Sequence, residues 1–396
     1  MHIAIDASCW TNRRGFGRYT RELVPRIIEQ GSQHRFTLLV DRPTADESRF
    51  PPGARLAIVD TRRQATEAAS AYGSRSPLDV WRMGQAAARL RPDLFFFPAV
   101  YSFFPIPRRI PMVVTFHDAI AETHPRLIFP TRRGRWLWEL KVRLALRQAT
   151  LVLTVSDSAR TEIASAFDYP ESKIRVVAEG PGAEFRPLED PERIRRARER
   201  YGLPLEDPLI LYVGGISPHK NLEGLLRALA RLGPTPPRGW HLAVVGDYAG
   251  DSFYGCYPVL SRLCRRLELT ERVTFTSYVP DHDLVALYNA GCFLELPSFD
   301  EGFGLPAVEA MACGLPVAAS RRGSLPELLG PAGMLFDPEE PGEMDATLAR
   351  LLESSDLRAH LRGLGLDRVK RFSWQSAARE TIRIFEETGG ERVGTS

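Results

Sequence analysis

Cysteine is scarce in this chain. Its five cysteines (Cys9, Cys256, Cys264, Cys292, Cys313) form an odd set with no C-x-x-C pair. That argues against a disulfide framework and against the usual zinc spacing, so buried thiols are expected. Lysine is scarcer still, with four residues against 48 arginines, so the placement of any one lysine is informative. No apolar run approaches the roughly 20 residues needed to cross a bilayer. The opening MHIAIDASCW has neither the basic stretch nor the long apolar core of a secretion signal, and a cytoplasmic location is expected. Low-complexity segments and short internal repeats are missing too. So is a complete G-x-G-x-x-G fingerprint, which disfavours an NAD-dependent dehydrogenase. With a net charge of only +3 and no aromatic-basic sheet motif, no nucleic-acid partner is expected.

What is present reads as a soluble α/β protein. At 396 residues the chain exceeds one ordinary core and implies two domains. Charge is uneven: residues 1–180 carry 27 Lys+Arg against 18 Asp+Glu, and the remainder 25 against 31. A basic first half hints at an anionic ligand or a membrane surface. Near-continuous apolar runs such as HIAIDA (2–7), LFFFPA (94–99), MVVTFHD (112–118) and LVLTVS (151–156) suit parallel strands covered on both faces. The helical pattern after the first run contains Pro25, which should kink it or reset its start. Around residues 180–190 the pattern dissolves into Pro, Gly and charge, a linker before a solvated charged helix. A second series then opens with PLILYVGG (208–215) and continues through HLAVVGD, VTFTSYV, CFLELPS, PVAAS and GMLFDP. Two doubly wound sheets in series are the economical architecture. Ligands in such sheets bind at the carboxyl ends of the strands.

The stretch Pro297–Ser320, PSFDEGFGLPAVEAMACGLPVAAS, places Glu301 and Glu309 on either side of a Gly-Phe-Gly-Leu-Pro loop. Pro306 suits the first turn of a helix that Gly314 would close. Gly302 and Gly304 let backbone N–H groups approach a ligand, and a helix start offers unpaired donors and partial positive charge to a phosphate. A carboxylate on each side can accept two hydrogen bonds from a diol. The combination matches a nucleotide-diphosphate sugar. Either glutamate alone would simply complement the helix dipole.

This stretch resembles the E-x7-E signature of glycosyltransferase family 4, retaining enzymes of the GT-B fold. RRGFGRYTREL, VVTFHDAI, LTVSDSAR, GGISPHKN, YVPDHDLVALYNAG and FSWQSAARETIRIFEE match in order, so the likeness covers nearly the whole chain. It implies two Rossmann-like domains facing across a cleft. Residues 1–185 would bind the acceptor and residues 186–372 the donor, with the last helix (373–390) crossing back to the first. By the resemblance Glu301 holds the donor sugar's hydroxyls and Glu309 the ribose. Gly302, Phe303, Gly304 and Leu305 form the phosphate loop between them, and backbone near Val279 touches the base. His117 lines the sugar pocket, with Asp118 orienting its ring. Glu301, Lys220 and His117 are the expected catalytic set.

Lys220 follows an apolar strand in a Gly-Ser-Pro-rich loop and is the natural cation for a diphosphate. Members of the family often carry a second cation where this chain has Gly215; His219 or a first-domain arginine is the expected substitute. The segment Gly15–Phe16–Gly17–Arg18 reads either as a phosphate or acceptor loop or as a plain surface loop. Asp281 and Asp283 follow Pro280 and are expected to cap a helix rather than hold a metal, and no metal or cofactor is required. Residues 131–148 combine six cations with Trp136 and Trp138. A packed helix with an arginine-rich outer face is expected there, with peripheral membrane contact as the other reading. The favoured function is metal-independent transfer of a hexose from GDP-mannose or a UDP-sugar to a glycan or lipid-linked acceptor. The rivals are a nucleotide-sugar epimerase or hydrolase of the same fold, and a non-catalytic nucleotide-sugar-binding protein.

Overall fold

The structure, a computed structural model, describes residues 1–62, 64, 76–233, 239–248 and 255–390. It consists of two compact units, residues 1–179 with 373 onward, and residues 180–372. Each is built on an all-parallel sheet.

The first sheet contains His2–Asp6 (β1), Arg35–Asp41 (β2), Ala54–Val59 (β3), Leu94–Phe97 (β4), Met112–Thr115 (β5), Leu151–Thr154 (β6) and Ile174–Val176 (β7). Their order is β3-β2-β1-β4-β5-β6-β7. Every residue of β1, β4 and β5 is buried, which is why these strands read as unbroken apolar runs: helices cover both faces. The second sheet contains Leu209–Val213 (β8), His241–Val245 (β9), Val273–Ser277 (β10), Phe293–Leu296 (β11), Val317–Ser320 (β12) and Gly333–Phe336 (β13), in the order β10-β9-β8-β11-β12-β13. In both sheets the winding reverses beside the first strand, between β1 and β4 and between β8 and β11. The loops leaving those strands diverge at such a point and leave a crevice at their carboxyl ends.

The helix Gly15–Gln30 continues through Pro25, so the proline does not reset its start. Leu23, Val24, Ile27 and Ile28 are buried on one face, and that burial outweighs the one backbone bond a proline removes. The helix Trp374–Gly390 packs along it, with Trp374 edge-on to Tyr19 at 5.7 Å and Phe385 against Phe96 at 5.1 Å. The last helix is thus part of the first unit. The charged helix Pro191–Arg200 is N-capped by Asp190 and laced by Arg195 with Glu192 and Glu199.

Two further expectations need correction. Neither Asp281 nor Asp283 caps the helix Asp281–Ala290, whose cap position is Pro280 with no side-chain bond. Asp283 instead accepts from Arg200 and from the Tyr201 hydroxyl, each at 2.8 Å, and ties its helix to Pro191–Arg200. In the helix Arg132–Gln148, Val142, Ala145 and Leu146 face inward as expected. The outer face, however, carries Trp136, Leu137, Leu140 and Leu144 beside its arginines. Among the described residues no helix is long and apolar enough to cross a membrane.

Candidate functional site

In the second unit, β8 and β11 are neighbours, so the loops that leave them meet. After β8 the chain passes Gly214 and Gly215 into the short turn Pro218–Lys220. Asn221 then adopts a left-handed conformation (φ 54°) and caps the helix Leu222–Leu232 through Gly224 N. After β11 come Ser298, Asp300 and Glu301, then the helix Leu305–Ala312. The two loops are stitched by Phe299 N donating to the His219 carbonyl at 2.8 Å. This fixes Lys220 beside Glu301: Nζ lies 2.7 Å from Oε1, with both side chains largely buried. Ser298 Oγ donates to the same oxygen at 2.7 Å. From the other side the Glu301 carbonyl accepts from Ser324 N at 3.0 Å and from Ser324 Oγ, which also bonds the Phe303 carbonyl. Glu301 is therefore preorganised and charge-paired rather than a loose acid at a helix mouth.

The helix Leu305–Ala312 begins without a side-chain cap, since its cap residue is Gly304 at φ 100°. A left-handed conformation of that kind favours glycine. An added Cβ there would also press on Leu325 and Leu328 at 3.0 and 3.2 Å. Phe303 and Leu305 are buried, Phe303 against Phe372, so only their backbone can face a ligand. Glu309 lies on the inner side of this helix, 1% exposed, with Oε2 accepting from the Tyr288 hydroxyl at 3.0 Å. It is far more enclosed than Glu301. Val279 is buried just beyond a register shift between Phe275 and Ser277, where Ser277 takes φ 63°. Gly215 is held through its carbonyl by the Tyr212 hydroxyl at 2.6 Å. His219, the expected substitute cation, is 8% exposed.

A second cluster lies in the first unit. His117 follows β5, and both its ring nitrogens are engaged. Nε2 is 3.1 Å from the Pro98 carbonyl, and Nδ1 is 3.4 Å from Glu179 Oε1. Asp118, the neighbour expected to orient this ring, accepts from Ile120 N through Oδ1. The acid against Nδ1 is Glu179, which sequence reasoning missed. Burial pushes its carboxyl pKa upward, opposed by the hydrogen bond and charge of His117 and by Arg18. Tyr19 packs edge-on to the imidazole at 4.7 Å.

Gly15, Phe16, Gly17 and Arg18 are not a surface loop but the first turn of the helix Gly15–Gln30. Phe16 is buried and stacks on Tyr101 at 4.6 Å. A Cβ on Gly17 would lie 2.0 Å from the Asn12 carbonyl, so that position requires glycine. Gly15 has nothing within 4 Å of such an atom.

The family profile described as Glycosyltransferase Family 4 matches residues 13–180, and that described as Glycosyl transferases group 1 matches residues 193–364. The O-antigen chain mannosyltransferase B of Escherichia coli is 34% identical over 284 residues, 72% of either protein. The chain belongs to glycosyltransferase family 4. Membership makes it a glycosyltransferase, and the solved structures place its fold. Sucrose-phosphate synthase from Thermosynechococcus elongatus superposes with a TM-score of 0.77 at 20% identity, over 98% of both chains. HepE of Anabaena, solved with UDP-glucose, gives 0.74 at 19% identity over 98% of this chain and 100% of that one. Two Rossmann-like parallel sheets in series with these neighbours constitute the GT-B fold. In this family member the acid of the E-x7-E signature nearest the loop, Glu301, meets Lys220 within the described geometry. The second, Glu309, meets Tyr288. Ser298, Ser324 and Tyr288, which hold the two acids, had no signal in the sequence beyond lying near the signature.

Proposed function

We propose that this family 4 enzyme is a retaining, metal-independent transferase. It moves a hexose, mannose first, from a nucleotide-diphosphate sugar to an acceptor hydroxyl on a glycan or lipid-linked intermediate. The observation that carries this reading is the Lys220–Glu301–Ser298 cluster beside an uncapped helix start. Similarity to the O-antigen mannosyltransferase supports mannose and a polysaccharide product. The UDP-glucose complex of HepE keeps UDP-sugars alongside GDP-mannose as donors.

In this reading a donor diphosphate takes over Lys220 and meets the backbone amides at the uncapped start of the helix Leu305–Ala312, which offset the leaving charge. Glu301, released from the lysine and still held by Ser298, turns its oxygens to the sugar hydroxyls, while Glu309 takes the ribose. The acceptor oxygen bonds to the anomeric carbon on the face the diphosphate leaves. The carbon–phosphate-oxygen bond breaks, and the acceptor proton passes to the departing phosphate. No side-chain nucleophile is needed. The second unit is the donor half, and the first unit, with Gly15–Arg18, His117 and Asp118, is the acceptor half.

A thermal-shift panel of nucleotide sugars identifies the donor, since a ligand at 100 times its dissociation constant stabilises by about 2.7 kcal/mol. With that donor, Glu301→Ala should lower kcat for transfer by at least about 100-fold while the unliganded melting temperature stays close to wild type. Near-normal turnover in that variant would refute the role. Transfer that persists in a chelator supports metal independence. Rapid conversion of donor without acceptor would replace the transferase by an epimerase or hydrolase.

A further inference from the structure

We propose that the outer face of the helix Arg132–Gln148 is a docking surface for an anionic lipid bilayer. The helix has two faces of opposite fate. Val142, Ala145 and Leu146 are buried in the first unit, so the helix cannot roll to hide its other side. That other side shows Trp136 at 61% exposure, Leu140 at 44%, Leu137 at 40% and Leu144 at 37%. Trp136, Leu140 and Leu144 recur every four residues and form a stripe roughly 12 Å long, parallel to the helix axis. Isolated exposed apolar side chains are ordinary; four on one helix face are not.

Charge selects the occupant. Arg132, Arg133, Arg143 and Arg147 are exposed and flank the stripe, and among the described residues they have no ion-pair partner. Arg135 is spent on Glu139, the one acid of the helix. A second copy of this chain would bring the same cationic face against itself, which is repulsive. Nucleic acid would leave the tryptophan and leucines uncovered. An anionic membrane satisfies both features, because the apolar stripe enters the acyl boundary and the guanidinium groups stay among the phosphates. The inference rests on the transferase reading only in suggesting why the enzyme would sit there, namely to reach a lipid-linked acceptor.

Co-sedimentation of the full chain with vesicles, without donor or acceptor, tests the surface independently of catalysis. At about 0.1 M salt, partition onto phosphatidylcholine vesicles containing one quarter phosphatidylglycerol should exceed that onto pure phosphatidylcholine by about tenfold or more. The Trp136→Ser/Leu140→Ser/Leu144→Ser variant should bind both compositions about tenfold more weakly or worse. Arg132→Ser/Arg133→Ser/Arg143→Ser/Arg147→Ser should erase the preference for phosphatidylglycerol. All these residues are exposed, and a melting curve confirms that each variant is folded. Equal partition onto both vesicles, or variants that bind like wild type, overturns the proposal. Self-association that vanishes in the apolar variant also overturns it, in favour of a second copy. Failure here leaves donor binding and sugar transfer as they stand.

Discussion

At the scale of single residues, burial in the first unit raises the pKa of two acids, Glu122 and Glu179. Glu122 accepts from Trp138 Nε1 at 2.6 Å, and burial, reinforced by the charge of Asp118, raises its pKa from 4.5 to about 7. Below about pH 4.5 folded and unfolded chains both hold this proton, and its contribution to stability is complete. As pH climbs toward 7 the unfolded chain releases the proton first, so stability falls across that window and levels off above it. Glu179 acts in the same direction, through burial. Glu122→Gln keeps an oxygen for Trp138 but has nothing to ionise. Its melting temperature should therefore pull ahead of wild type between pH 5 and pH 8, by roughly 1–3 kcal/mol of relative stability. Parallel melting curves for the two proteins across that range would show that Glu122 is not the source. Such residue-level linkage was not legible beforehand: His117 and Glu179 are 62 positions apart, and only the adjacency of β5, β6 and β7 brings them together.

Among elements, β11 combines correct patterning with one conflict. Phe293, Leu294 and Leu296 are buried core residues, but Glu295 between them is 0% exposed and neither carboxylate oxygen has a hydrogen-bond partner among the described residues. Burial drives its pKa well upward, because the carboxyl gave up hydration and gained no hydrogen bond in return among the described residues. Replacement by an apolar residue of similar length should relieve that cost. Glu295→Met is predicted to stabilise the protein by roughly 1–3 kcal/mol, read as a higher denaturant midpoint at unchanged slope; a lower midpoint would mean that the carboxyl has a partner. Strands such as β11 were readable because parallel strands covered on both faces show unbroken apolar runs, and even Glu295 did not hide this one. The helix starts were less readable. Asp283 stands where a cap residue belongs, yet its carboxylate is drawn to Arg200 and Tyr201 more than 80 positions away, a competition that local spacing does not record. The same limit applies to the site. The signature around Glu301 and Glu309 is local and stood out, whereas the Lys220 contact needed β8 and β11 to be neighbours, and Trp136 could be told from Trp138 only once the inner face of their helix was known.

On the scale of the whole molecule, chain order and folding unit do not coincide. The first unit is completed by the last helix, after the entire second unit has been made. Trp374, Ala377, Ala378, Thr381, Ile382, Ile384, Phe385 and Thr388 of that helix are buried, and Glu386 reaches His34 at 3.0 Å. The four large apolar side chains among them are worth about 1.5–3 kcal/mol each when buried, a sum comparable with the ~5–15 kcal/mol net stability of an ordinary domain. Without them Phe96, Tyr19 and the apolar face of Gly15–Gln30 would meet water. A fragment of residues 1–179 is therefore expected to lack a cooperative thermal transition by circular dichroism. Adding residues 373–390 as a separate peptide should restore one, at a temperature that rises with peptide concentration. Residues 180–372 contain a complete six-stranded sheet and should melt cooperatively without the peptide. If the fragment of residues 1–179 melted sharply at the same temperature with and without it, the last helix would be an accessory to the first unit rather than part of its core.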